Sequence, residues 1–196
     1  LADDVLTTDE DTALTIAPDA LLSNDTDVDG DTLTITSVQD ATNGSVEIVD
    51  GQIVFTPDEN YNGDASFTYT VSDGNGGTDT ATVNLDVTPV NDTATVGDAS
   101  QELTETDAAL TTSGTISISD ADDGEAQVQA FTGAAGDNGY GTFTVDADGN
   151  WSFTANSAFD ELNAGDEITD TITVTSADGT DTGEITVKIT GTNDAA

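Results

Sequence analysis

Strict alternation of apolar and polar residues returns in segment after segment of this chain. In the first half it reads Leu33 and Ile35; Val46 and Ile48; Ile53 and Phe55; Phe67, Tyr69 and Val71; Ala81, Val83, Leu85 and Val87. The second half repeats it at Ile116 and Ile118; Phe143 and Val145; Trp151 and Phe153; Ile172 and Val174; Ile185, Val187 and Ile189. A period of two puts one face of a strand in a core and the other in water, and helical periodicity is nearly absent. Asp50-Gly51 and Asp148-Gly149 fall between such segments and suit tight hairpins whose two central residues both take positive φ. The expected fold is all-β and antiparallel, built as sandwiches.

The halves are related to each other. Phe55-Thr56 corresponds to Phe153-Thr154, Asp73-Gly74 to Asp178-Gly179, Thr78-Asp79-Thr80 to Thr180-Asp181-Thr182, and Asn91-Asp92 to Asn193-Asp194. The offset is that of one Ig-sized domain, which gives two tandem Ig-like β-sandwiches, 1–92 and 93–196, joined at Thr88-Pro89-Val90-Asn91-Asp92. Pro89 ends the last strand of the first. Residues 191–196 occupy the linker position after the second, so a longer parent array of neighbouring repeats is expected.

Composition then narrows the function. Forty acidic residues stand against one basic residue, Lys188, for a formal charge of −39. Such a surface repels phosphate backbones and anionic headgroups, which excludes nucleic acid as a partner. The longest apolar run is three residues, so direct membrane insertion is not expected and no signal-peptide core is present. Without Cys or His the chain has no thiolate or imidazole for catalysis or zinc, and it is not expected to be an enzyme. High charge can signal disorder. Here the acids are 31 Asp against 9 Glu, beside 36 Thr, which is the chemistry of turns and strands rather than of acidic helices.

The densest acidic stretch is Asn24-Asp25-Thr26-Asp27-Val28-Asp29-Gly30-Asp31. Alternate carboxylates at Asp25, Asp27, Asp29 and Asp31 can converge on one hard cation across a tight loop, and the spacing fits calcium. It matches the opening of an EF-hand loop, but position twelve is Thr36 and a strand pattern follows, so the reading is a calcium loop at a sandwich edge. The bland alternative is a solvated acidic turn. Further hard-oxygen donors are Glu10 and Asp11, Asp73 in the Gly-rich turn 72–77, and Asn91 and Asp92 in the linker. The second domain offers Glu105, Asp107, Asp120, Asp122, Asp123 and Asp178, with Asn193 and Asp194 after it. An ion drawn from linker and second-domain groups would cross-link the domains. The Gly-rich turn is similar to a calcium β-roll repeat but occurs once, whereas a β-roll needs stacked copies. Trp151 and the other aromatics could line a sugar-binding face, yet they fall in core register. Carboxylate pairs for glycoside hydrolysis carry no information among 40 acids.

These residues resemble known families. Glu10-Asp11, residues 21–33 and Phe67-Thr68-Tyr69-Thr70-Val71-Ser72-Asp73-Gly74 resemble the cadherin-like tandem repeats of giant bacterial adhesins. Ser113-Gly114-Thr115-Ile116, Ser119-Asp120-Ala121-Asp122, residues 141–151 and Ile189-Thr190-Gly191-Thr192-Asn193-Asp194 resemble the VCBS repeat. The resemblance implies cadherin-like sandwiches serving as extender domains of large RTX-type surface proteins, exported by type I secretion, stiffened by Ca2+ and holding an adhesive tip outside this fragment. Thr104-Glu105-Thr106-Asp107 departs from the expected adjacent Glu-Asp pair, which leaves either Glu105 or Asp107 as the ligand. Rival readings are a calcium-dependent carbohydrate- or protein-binding module, a halophile-type accessory domain, and a subunit joined with like chains in a head-to-tail filament.

Overall fold

The computed structural model describes residues 1–122 and 124–193. Two compact units divide at the linker, Leu1–Asn91 and Asp92–Ala196, and both are antiparallel β-sandwiches with one parallel pair each.

In the first unit the strands are β1 (Asp4–Asp9), β2 (Leu14–Ile16), β3 (Thr34–Thr42), β4 (Gly44–Val49), β5 (Gln52–Pro57), β6 (Gly63–Ser72) and β7 (Thr78–Thr88). One sheet runs β1-β7-β6-β3 and the other β2-β5-β4. A one-turn helix, α1 (Pro18–Leu21), leads into a 3-10 turn at Leu22–Asn24 between β2 and β3. Strand β1 pairs parallel with β7, from Asp4 opposite Val83 to Asp9 opposite Thr88. The alternating residues meet in one core, where Phe55 stacks on Phe67 at 5.9 Å and Tyr69, Val83 and Ile53 are fully enclosed.

The second unit contains β8 (Thr95–Val96), β9 (Ala99–Thr104), β10 (Thr111–Thr115), β11 (Ile118–Ser119), β12 (Phe131–Ala135), β13 (Gly141–Val145), β14 (Asn150–Ala155), β15 (Glu167–Thr175) and β16 (Thr182–Thr190). Its sheets are β10-β14-β13-β12 and β15-β16-β9, with a small β8-β11 pair, and β9 repeats the parallel pairing of β1 by lying along β16. Phe143 and Phe153 lie 4.8 Å apart in the core, and Trp151 is buried there as core register predicts. Gly44 and Gly141 hold equivalent places beside Phe55 and Phe153. A Cβ at either would press into the ring, so the rings pack directly on backbone.

Two expectations are corrected. Asp50 and Gly51 both take positive φ, 49° and 80°, but in Asp148-Gly149 only the glycine does, at 78°. There Gly149 N–H donates to Asp146 O and Asp146 N–H to Asn150 O, a three-residue turn rather than a two-residue one. Ile48 lies in inward register yet remains 44% exposed, because β4 is a sheet edge and its hairpin tip extends past the core.

Candidate functional site

In each unit a buried glutamate directly follows the strand that pairs parallel with the last one, Glu10 after β1 and Glu105 after β9. Glu10 N–H donates to Thr88 O at 2.9 Å, and Glu105 N–H to Thr190 O at 2.9 Å, so each continues the parallel pairing by one rung. Both side chains are 3% exposed. Glu10 Oε1 accepts Val90 N–H at 2.6 Å, and its Oε2 accepts Asn62 Nδ2 at 3.5 Å. Glu105 Oε1 accepts the N–H and the hydroxyl of Thr192 at 2.9 and 3.1 Å. Its Oε2 is buried with no hydrogen-bond partner among the described residues. Asp107 is exposed, so the buried counterpart of Glu10 is Glu105. Asp11, with φ of 53°, turns the chain outward and accepts Asn60 N–H at 2.9 Å.

The other acids gather where the chain enters each unit. In the first, Asp25 accepts Ala2 N–H at 2.8 Å and the Tyr69 hydroxyl at 3.0 Å. Asp27 Oδ1 accepts Asp29 N–H and Asp31 N–H at 2.8 and 3.1 Å, and these donors, Asp31 first, hold its carboxyl below the usual range. Asp31 binds Asn75 Nδ2 at 2.7 Å, and Asp73 folds the Gly-rich turn by accepting Asn75 N–H and Gly77 N–H at 2.7 and 2.9 Å. Asp29 is exposed. In the second unit, Asp120 Oδ1 accepts Asp122 N–H at 3.0 Å, Asp122 Oδ2 accepts Asp92 N–H at 2.8 Å, and Asp178 accepts Thr180 N–H at 3.1 Å. Asp120 Oδ2, like Glu105 Oε2, is buried without a partner among the described residues. Asn91 and Asn193 are exposed, and Asp123 and Asp194 lie outside the described residues.

Three acidic positions escaped the sequence reading. Asp170 on β15 is 1% exposed and accepts Asn138 N–H, Tyr140 N–H and Gly141 N–H, each at 2.9 Å. Its signal was register, since Ile168, Asp170, Ile172 and Val174 share one parity. Asp4 Oδ2 lies 3.0 Å from the Tyr69 hydroxyl, which also reaches Asp25. Burial pushes the Asp4 carboxyl up, and burial with these two carboxylates pushes the Tyr69 phenol up. Asp181 accepts Val96 N–H at 2.8 Å and is held low by it.

Among the described residues, no three acidic side chains stand close enough to hold an ion by themselves. Calcium takes six to eight oxygens and draws on backbone carbonyls, amide oxygens and water as well as carboxylates. The orphaned oxygens of Glu105 and Asp120 fit such a cation: a carboxylate oxygen out of water with no donor is costly until a positive charge meets it.

The family profile of the cadherin-like domain matches residues 1–88, and that of the bacterial cadherin-like domain matches residues 91–191. The chain belongs to the cadherin-like family, as a tandem pair of its domains. Among solved structures it is similar to mouse cadherin-23 EC22-24 (18% identity, TM-score 0.58), covering 96% of this chain and 63% of that one. It is also similar to Drosophila N-cadherin EC1-4 (17%, 0.52; 97% and 47%) and to a protocadherin gammaB7 EC3-6 structure titled a cis-dimer (13%, 0.57; 96% and 46%). At these identities the likeness is one of fold, and the chain spans about half the length of the first two structures matched. No curated protein matches the sequence. Cadherin-like domains are extracellular, non-enzymatic adhesion and structural modules that typically bind calcium. Among the described residues, no helix is long and apolar enough to cross a membrane.

Proposed function

We propose that this tandem pair is a calcium-rigidified extender segment of a large bacterial surface adhesin, spacing an adhesive tip from the cell. The observation that supports it most directly is the buried, partnerless Oε2 of Glu105, at the position where the first unit buries Glu10. At the exit end, Glu10 with Asn91 and Glu105 with Asn193 would hold the ion. At the entry end the holders would be Asp25, Asp27, Asp29 and Asp31, joined by Asp73, and in the second unit Asp92, Asp120, Asp122 and Asp178. Bound calcium supplies charge neutralisation and ties loops together. The protein's own part is to fix one oxygen of Glu10, Glu105, Asp27, Asp73, Asp120 and Asp178 on backbone N–H groups before the ion arrives. Glu10 and Glu105 grip the linker backbone at Val90 and Thr192, so a charge bound there stiffens the chain as it leaves the unit.

Extracellular calcium modules bind with Kd of about 10⁻⁴ to 10⁻³ M. Calcium at tenfold excess over Kd adds about 1.4 kcal/mol per site, and at a hundredfold about 2.7 kcal/mol. Several sites then rival the whole stability of a small domain. Without calcium the −39 chain repels itself, which suits export through a low-calcium cytosol with folding completed outside. The VCBS-type motifs of the second repeat favour RTX-type proteins and type I secretion as its setting. Melting and small-angle scattering in calcium and in chelator test the reading. A higher Tm and a longer, narrower particle in calcium support it, and identical melting in both solutions defeats it. Stabilisation by NaCl equal to that by millimolar calcium would favour acidity for halophilic solubility instead.

A further inference from the structure

The first sandwich is open along one side. Strands β1 and β2 end its two sheets, and among the described residues β1 pairs only with β7 and β2 only with β5. Between them lies a groove of about 430 Å³ floored by Leu6, Leu14, Ile16, Ala17 and Ala20, and Val5 lines it while 78% exposed. Glu10 N–H donates to Thr88 O, so by strand alternation Thr8, Leu6 and Asp4 turn their backbone groups to β7, and Val5, Thr7 and Asp9 turn theirs to the open side. The edge is regular. Its pairing with β7 runs without a shift and it carries no Pro or Lys, whereas β3, the opposite edge of the same sheet, is broken by register shifts at Ile35/Ser37 and Gln39/Thr42. The fold does not require an apolar lining here: counting back from Glu105, the second unit has Ser100 and Gln101 where the first, counting back from Glu10, has Val5 and Leu6.

We infer that this edge takes up an extended peptide of a partner protein, basic at both ends and apolar between, as an added strand on β1. Its main chain pairs with Val5 and Thr7, and an inward apolar side chain opposite Leu6 fills the groove against Leu14 and Ile16. The basic ends follow from charge: Asp4 and Asp9 close β1, Asp19 stands exposed beside Ala20, and this unit contains no Lys or Arg. The same acids argue against a second copy of this chain. An antiparallel β1–β1 pair that matches Val5 with Thr8 sets Asp4 opposite Asp9 at both ends, and like charges directly opposite destabilise a pair.

The test adds the end-capped peptide Lys-Val-Thr-Val-Thr-Lys to the full chain in calcium, at about 0.15 M salt so that the general field of the −39 chain is screened. At saturating peptide, amide exchange read by NMR is expected to slow about tenfold or more at Val5 and Thr7 and to stay unchanged along β3. The same peptide with Glu for both Lys, or with Pro for both Thr, should protect neither amide. Thr7→Pro removes an outward donor and keeps the bonds to β7, so it should abolish binding. Leu6→Gln, which copies Gln101, should weaken binding about tenfold, and circular dichroism checks that each variant keeps the parent's fold. Absence of protection, equal protection by the Lys and Glu peptides, or binding that Leu6→Gln leaves intact overturns the proposal. So does protection that rises with protein concentration in the absence of peptide, the mark of a second copy on the edge. Val5, Leu6, Thr7, Asp9 and Asp19 are not among the proposed calcium holders, so either reading can fail without the other.

Discussion

The exit glutamates of the two units are the same device at two levels of completion. Glu10 and Glu105 are buried equally, bond the last strand through the same backbone donor, and cap the N–H two residues further along. They differ at the second oxygen: Asn62 approaches Glu10 Oε2, whereas Glu105 Oε2 has nothing. The two repeats thus share the oxygen that organises backbone and differ at the oxygen that the proposed calcium ion would meet. A second contrast lies on the penultimate strand. Ala65 and Asp170 hold matching places, opposite Leu85 and Val187, and a methyl in one unit is replaced by a carboxylate holding a whole loop in the other.

If each sandwich is its own cooperative core, the largest effects fall on one unit at a time. Phe153→Ala removes the ring packed on Phe143 and on the backbone at Gly141. A loss of about 3–5 kcal/mol is expected in the second unit, with the first unit's transition unmoved. Phe55→Ala should do the reverse. Melting followed by Trp151 fluorescence beside circular dichroism would show one transition shifting in each case, and joint shifts would mean the units do not unfold separately.

Asp170→Ala comes next. It strands three N–H donors from Asn138 to Gly141 in a closed site, and about 2–4 kcal/mol should be lost from the second unit, with fast amide exchange confined at first to residues 136–141. Ala65→Asp in the first unit should be at least as damaging, because it puts a carboxylate at a buried place now filled by a methyl. If Asp170→Ala melted like the parent, the loop would be held by something else.

What could be read from the chain follows this division. Alternation located the strands and the aromatic core because inward and outward positions differ in polarity, and the repeat located the linker because Asn91-Asp92 returns as Asn193-Asp194. Glu10 was named as a hard-oxygen donor, but its burial was not legible. Nor was the choice between Glu105 and Asp107, since both are acids two residues apart and only the parallel rung to Thr190 buries one of them. Asp170 was hidden for a related reason: among 40 acids an inward one looks like a break in pattern until its three backbone partners, about 30 residues away, are in place. The entry loop was legible in composition but not in form, because Asp27 spends one oxygen on Asp29 and Asp31 rather than leaving both to a cation.

Glu105→Gln and Glu10→Gln sharpen the exit-end contrast by their signs. Glutamine keeps an oxygen for Thr192 N–H and removes the uncompensated charge, so in chelator Glu105→Gln should stabilise the second unit by about 1 kcal/mol. In saturating calcium it should forfeit the gain of one site, about 1.4–2.7 kcal/mol. Glu10→Gln should gain less in chelator, since Asn62 already lies beside Oε2. Calorimetric titration counts the sites lost in each variant, and an unchanged count for both would remove the exit glutamates from the calcium set.

The smallest effect is in acid, and its sign differs between the units. Asp146, Asp166 and Asp181 in the second unit are held below the ordinary 3.8, by Asn150, Asn163 and the Val96 N–H respectively. A carboxyl lowered by folding stabilises above its unfolded pKa, and that contribution is lost as pH falls from 3.8 through the folded value. The first unit has one such group, Asp27, and against it Asp4, raised by burial. Asp4 takes up its proton more readily folded than unfolded, so acidification toward 3.8 works in favour of the first unit. Relief of the −39 repulsion helps both units and cancels in the comparison. Melting each unit in chelator from pH 6 down to pH 3 should therefore show the second falling relative to the first. Asp4→Asn should raise the first unit's Tm at pH 6 and leave it nearly unchanged at pH 3, because the neutral amide already carries what the proton supplies.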